Sequence, residues 1–185
     1  MAWLGSSSAA ISSGRRSVPD SLGRPPADPD RLFATLVEHG VDFLVIGGVA
    51  VLAHGHPRLT FDLDILPNPS ASNMRNLASA LSELKAVAFD DRGRELPLDL
   101  THPEGLALGN YFLKTDAGAL DLFNGSRPDL KRYRRLEDAS IQLTRKGTPI
   151  RVIGLDDLIA MKREAGREKD LADIAALTEV ERSGH

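Results

Sequence analysis

The sequence predicts an α/β (α+β) domain in which a small mixed sheet, flanked by helices and closed by a helical C-terminal segment, carries a cluster of carboxylates. Three observations lead there. A hydrophobic strand-like run, Phe43-Leu44-Val45-Ile46, ends in Gly47-Gly48. Thirteen residues later comes Asp62-Leu63-Asp64. Strand and helix periodicities then alternate towards a helix-rich end. Successive strand side chains point to opposite faces, so Asp62 and Asp64 project from the same face. Carboxylates that close repel unless a cation sits between them, which is what a divalent-metal site for phosphoryl chemistry needs. The glycines let a phosphate approach the backbone, and the helix that follows offers it free N–H groups.

At 185 residues the chain suits one domain with a proper core. A net charge of -3 and a pI near 5.9 argue against a general duplex-DNA binder and leave room for a local basic patch. With no cysteine, disulfides and thiolate metal sites are excluded. The longest apolar run, residues 43–53, is shorter than the roughly 20 residues a membrane span needs. The N-terminus lacks a charged region followed by a hydrophobic one. A soluble, cytoplasmic protein is expected, with no membrane partner.

Residues 1–27, rich in Ser, Gly, Pro and Arg, are expected to form a disordered tail, and residues 28–185 a single domain. Asp28 suits an N-cap and Pro29 the first helical position, with the helix stopping at Gly40. Its stripe is Leu32, Leu36 and Val37. Residues 42–46 read as a buried strand, 48–54 as a short helix ended by Gly55, and 61–66 as the carboxylate strand. On that strand Phe61, Leu63 and Ile65 should face away from Asp62 and Asp64. Residues 70–84 form an amphipathic helix through Met74, Leu77, Leu81 and Leu84. Residues 90–109 read as an irregular insertion. Residues 111–123 read as a hairpin turning at Thr115-Asp116-Ala117-Gly118. Two more strands, 140–144 and 149–153, flank Lys146-Gly147. Helices cover 155–165 and 168 to about 180, broken at Gly166, with Leu171, Ile174, Ala175 and Thr178 as the buried stripe of the last.

A third carboxylate would complete the site. Asp121, between apolar neighbours in Leu120-Asp121-Leu122-Phe123, is the stronger candidate because its hairpin can lie beside the Asp62/Asp64 strand. Asp99, in the irregular segment, is the rival. The one dense basic cluster is Lys131-Arg132-Tyr133-Arg134-Arg135. It reads either as a grip on an RNA backbone with a stacking aromatic or as a solvated helix face.

Taken together, Ile46-Gly47-Gly48, Asp62-Leu63-Asp64 and Asp121 resemble the DNA polymerase β-like nucleotidyltransferase superfamily. The fuller string from Gly47 to Gly55, with Arg58, Thr60, Asp62 and Asp64, is similar to its AbiEii/MenT branch, nucleotidyltransferase toxins of bacterial toxin–antitoxin systems. So is Leu158-Ile159-Ala160-Met161-Lys162 with the run from Arg167 to Ile174. The resemblance covers residues 42–180.

It implies a polymerase β-like fold and transfer of a nucleotide from a nucleoside triphosphate to a hydroxyl, with pyrophosphate released. The implied acceptor is the 3′ end of a tRNA, the outcome blocked translation, and the partner a cognate antitoxin. By the same resemblance Asp62 and Asp64 would bind two magnesium ions. Asp121 would share one of them and help deprotonate the acceptor hydroxyl. Gly47 and Gly48 would hold the triphosphate and Lys162 would contact it. Arg58 and Thr60 would line the nucleotide or acceptor side, and Asp170 would shape the pocket by holding Lys162 or Arg167. Two other readings stay open: transfer to a small molecule such as an aminoglycoside or to a protein side chain, and a non-catalytic nucleotide- or partner-binding module.

Overall fold

The computed structural model describes residues 24–90, 92–125 and 127–183. The elements are α1 (Pro29–Glu38), β1 (Phe43–Val45), α2 (Gly47–Ala53), β2 (Asp62–Pro67), α3 (Ala71–Glu83), β3 (Val87–Phe89) and β4 (Glu95–Leu96). A short 3-10 helix (Pro103–Ala107), β5 (Asn110–Thr115), β6 (Gly118–Phe123) and α4 (Leu130–Asp138) follow. β7 (Ile141–Arg145), β8 (Thr148–Val152), α5 (Leu155–Ala165) and α6 (Glu168–Arg182) complete it.

The strands form one mixed sheet in the order β4-β3-β5-β6-β2-β1-β8-β7. β2 and β6 run parallel, as do β1 and β8, and the other neighbours are antiparallel. Two central strands are buried almost throughout, β1 at every position and β6 at every position but Phe123, and both are apolar apart from Asp121 in β6. Leu32, Phe33 and Leu36 of α1 and Met74, Leu77 and Leu81 of α3 are buried in the same core, where the Phe33 and Phe43 rings stack at 6.3 Å.

Local chemistry sets the element ends. The Asp28 carboxylate accepts from the Arg31 N–H and caps α1, and Asp129 does the same for α4 through Arg132. Lys146 and Gly147 both take positive φ, which makes the tight turn between β7 and β8.

Three expectations are corrected. The segment 90–109 is partly regular, holding β4 and the 3-10 helix, and β3 just before it joins the sheet. Short strands of two or three residues carry too little periodicity to be read. Phe61 is half exposed, because β2 begins only at Asp62. The stripe expected on α6 is rotated: Leu171 and Ala175 are exposed, while Asp170, Asp173 and Leu177 are buried. The inward face of α6 combines the ion-paired Asp170 and Asp173 with the core residue Leu177.

Of the segment expected to be disordered, residues 1–23 lie outside the described residues. Residues 24–27 pack against the sheet. The Ala119 N–H donates to the Pro25 carbonyl (3.1 Å), the Ala27 N–H to the Phe61 carbonyl (2.8 Å) and the Asp28 N–H to the Ala117 carbonyl (2.7 Å).

Candidate active site

The site lies where β1 ends and β2 begins. Because these strands are antiparallel neighbours, the Gly47-Gly48 turn falls beside Asp62 and Asp64. Because β6 is parallel to β2 on its other side, Asp64 and Asp121 are register partners. One oxygen from each of Asp62, Asp64 and Asp121 lies within 4.8 Å of the others. Asp99 is elsewhere: it is exposed and accepts from Thr101 and His102.

The residues around the carboxylates hold them in place. The Thr60 hydroxyl donates to Asp62 Oδ1 at 3.0 Å. The Gly48 N–H donates to Asp64 Oδ2 at 3.3 Å, so a backbone donor expected to face a phosphate is already engaged. The glycines are also needed for space. A Cβ on Gly47, which sits at φ +63°, would lie 1.8 Å from Asp64 Oδ2. One on Gly48 would lie 2.5 Å from Thr60 Oγ1 and 2.9 Å from an Arg58 nitrogen. The Gly-Gly pair therefore seats the carboxylates as well as the turn.

Crowding shows in the acid–base balance. Burial, then repulsion from Asp62 and Asp121, pushes the Asp64 carboxyl up to about 8, against the Gly48 N–H and the Lys162 charge. Burial raises Asp121 to about 6, although Arg24 opposes it. Three converging carboxylates, one of them buried, form a hard oxygen donor set, and a cation would relieve their repulsion. The residues fit a hard divalent ion.

Beside the carboxylates and Gly48 lies a second charged cluster. Lys162 is buried, and its ammonium donates to Asp173 at 2.6 Å and Asp170 at 3.4 Å. Arg58 donates to both Asp173 oxygens at 3.1 and 3.0 Å. Arg167 donates to Asp170 at 2.6 Å, and the Asp170 side chain caps α6 by accepting the Arg167 N–H. Burial alone would raise Asp170, but Arg167 and then Lys162 outweigh it and hold it below the usual carboxylate range. Asp170 thus holds both Lys162 and Arg167. The Lys162 ammonium is engaged by Asp170 and Asp173, and its charge favours the ionised form of Asp64.

Two residues of this region escape a sequence-level reading. Asp173 looks like an ordinary acid near a helix start, yet it bridges Lys162 and Arg58; its spacing of three from Asp170, one face of a helix, was the available signal. Arg24 lies in a stretch with no periodicity. It donates to the Leu113 carbonyl at 3.1 Å and to both oxygens of Asp121.

The basic cluster is split by the fold. Tyr133 is buried and its hydroxyl donates to Asp42 at 2.8 Å, so it presents no ring for stacking a base. Arg135 pairs with Asp157 at 2.8 Å. Lys131, Arg132 and Arg134 are exposed. Arg132 lines a recess with Leu66 and Pro67, at the end of β2 opposite Asp62.

Among the described residues no helix is long and apolar enough to cross a membrane. No protein-family model matches the sequence, and no curated protein matches it. Solved structures do match. ANT(2″)-Ia, determined in complex with adenylyl-2″-tobramycin, aligns at 14% identity over 83% of this chain and 90% of its own, with a TM-score of 0.52. The lincosamide antibiotic adenylyltransferase LnuA, lincomycin-bound, aligns at 17% identity over 84% and 99%, with a TM-score of 0.50. A Thermotoga maritima protein with a provisional nucleotidyltransferase assignment aligns at 14% identity over 82% and 94%, with a TM-score of 0.51. The chain has the nucleotidyltransferase fold.

Proposed function

We propose that this protein is a magnesium-dependent nucleotidyltransferase that moves a nucleotide from a nucleoside triphosphate to an acceptor hydroxyl. The observation that carries this reading is the meeting of Asp62, Asp64 and Asp121 within 4.8 Å beside Gly47-Gly48. In this reading Asp62, Asp64 and Asp121 hold the two-ion magnesium site. Bound there, magnesium would neutralise charge on the phosphates and make the acceptor hydroxyl more acidic.

The chain's own residues do the rest. Asp121 accepts the proton of the attacking hydroxyl. The hydroxyl oxygen bonds to the α-phosphorus, the bond from that phosphorus to the bridging oxygen breaks, and pyrophosphate leaves with the electron pair. Thr60 fixes Asp62, and Gly48 fixes Asp64. Gly47 keeps the backbone open to the triphosphate. Arg58 and Lys162 place positive charge beside the carboxylates, braced by Asp170 and Asp173.

For the acceptor, the motif resemblance to the AbiEii/MenT branch supports the 3′ end of a tRNA, with growth arrest as the outcome and a cognate antitoxin as partner. Exposed Lys131, Arg132 and Arg134 offer a phosphate-binding face for the body of such an acceptor. A second reading, a small-molecule acceptor, is favoured by the likeness to two antibiotic adenylyltransferases.

The test incubates protein and magnesium with each α-labelled nucleoside triphosphate and total tRNA, with Asp62→Asn as control. Label on tRNA that requires Asp62 is expected. Pyrophosphate release that needs an aminoglycoside or lincosamide and no RNA would replace the tRNA reading with the second one. No transfer to any acceptor would sink the enzymatic assignment.

A further inference from the structure

We infer that residues 24–28 form an autoinhibitory latch, with Arg24 holding Asp121 where a divalent cation would otherwise bind, so that the segment must lift before the site can fill. This rests on reading Asp62, Asp64 and Asp121 as the cation site.

Arg24 is seated in the sheet. Its guanidinium donates to both oxygens of Asp121 and to the Leu113 carbonyl. The Arg24 and Asp121 side chains are 6% and 5% exposed. A guanidinium keeps its charge at any working pH, so it cannot yield by losing a proton. A dication bound at the same carboxylate would face that charge at a few ångström, with little water between to screen it. Arg24 in place and a cation on Asp121 therefore exclude one another.

The backbone is fitted to this position too. Three hydrogen bonds tie Pro25, Ala27 and Asp28 to Ala119, Phe61 and Ala117. Gly118 leaves room for the crossing: a Cβ there would lie 2.1 Å from the Pro26 carbonyl oxygen and 2.6 Å from the Ala27 Cα.

The hold is also limited. Arg24 Nε is buried and finds no hydrogen-bond partner among the described residues, which costs part of what the ion pair gains. Pro25 and Pro26 have no N–H to donate and are exposed. The segment belongs to no strand, so lifting it breaks the Arg24 contacts, three backbone bonds and the Asp28 cap of α1, and leaves the pairing of the sheet intact. Such a contact can exchange with the cation.

The experiment titrates the full chain with Mn2+, read by the paramagnetic resonance of the free ion, for wild type, Arg24→Ala, Arg24→Lys and Asp62→Asn. Hydrogen exchange of the peptide spanning residues 24–28 is followed with and without Mg2+. If the open form is about one molecule in ten, Arg24→Ala should bind Mn2+ about tenfold more tightly than wild type. Arg24→Lys, which keeps the charge, should stay near wild type. Mg2+ should speed exchange at Ala27 and Asp28 in the wild type. Equal Mn2+ affinity in wild type and Arg24→Ala, with exchange unchanged by Mg2+, would overturn the latch while leaving the cation site standing. Mn2+ binding that is absent from both proteins, or indifferent to Asp62→Asn, would remove the cation site and the latch with it. Should Arg24→Ala fail to fold, the wild-type exchange decides: faster with Mg2+ supports the latch, and unchanged refutes it.

Discussion

Asp64 and Asp121 are register partners on two parallel strands, β2 and β6, in the middle of the sheet. Neighbouring strands lie about 4.8 Å apart, so a shared register forces two carboxylates together whatever their rotamers. With Asp62 on the same strand as Asp64, the fold concentrates negative charge where a single hydrophobic residue would be more stable.

Replacing one of these carboxylates should therefore separate stability from activity. For Asp64→Asn and Asp62→Asn, transfer is expected to drop by about a hundredfold to a thousandfold, the range seen when one stabiliser of developing charge is removed. In chelator, the melting temperature of Asp64→Asn should match or exceed that of wild type, because burial and two like charges oppose Asp64's ionisation. Scanning calorimetry beside the label-transfer assay checks both halves. A melting point several degrees lower would show that Asp64 is held by favourable contacts that outweigh the repulsion.

The same crowding fixes a pH dependence. In the fold Asp64 rises to about 8 and Asp121 to about 6, from an ordinary value of 3.8. Between these values the folded chain keeps protons that the unfolded chain has released. Their contribution to stability is fully present below about pH 4 and is lost as pH climbs through about 8. His102, raised by its hydrogen bond to Asp99, works in the same direction, so the comparison must be with Asp64→Asn and not with theory. Melting temperatures in chelator should fall from pH 5 to pH 8 more steeply for wild type than for Asp64→Asn. Parallel slopes would mean that Asp64 ionises normally.

Gly47 makes a different kind of demand. At φ +63° an alanine would cost about 1–2 kcal/mol from the left-handed backbone alone. Its methyl would also fall on Asp64 Oδ2, 1.8 Å away, and the carboxylate would have to move. Gly147 is the control: it has φ +85° and nothing within 4 Å of where a Cβ would go. Both alanine variants should lose similar backbone stability in urea titrations. Gly47→Ala should also lose Mn2+ binding, and Gly147→Ala should keep it. Intact binding in Gly47→Ala would mean that the turn tolerates a side chain by rearranging.

How legible this site was in the sequence depended on whether the signal was local. The Asp62/Asp64 pair, the glycines before them and the β5–β6 hairpin follow from spacing, alternation and turn chemistry, and each lies where those rules put it. Asp121 needed one long-range step, the pairing of β6 with β2, which apolar flanks suggest without fixing the register. Tyr133 could not be read as buried, because it stands among four basic residues and only the packing of Leu136 on the same helix face reveals the inward side. Arg24 had no local signal at all. Its partner is 97 positions away, and no periodicity marks an extended strap.

Asp173 gives the last test, because its worth lies in two partners, Lys162 on the preceding helix and Arg58, 115 positions away. It is 3% exposed and accepts from both Lys162 and Arg58. Asp173→Asn keeps the shape and removes the charge, leaving Lys162 with Asp170 at 3.4 Å and Arg58 with no carboxylate among its described hydrogen bonds. Breaking a buried pair in this way should cost about 3–5 kcal/mol in urea unfolding. Lys162→Met should cost less, since Asp173 keeps Arg58 and Asp170 keeps Arg167. The double variant should be more stable than the sum of the two losses predicts, because each change removes the partner whose solitude the other makes costly. Strict additivity would show that Lys162 and Asp173 do not depend on each other, and that the charged cluster is held by Arg58 and Arg167 alone.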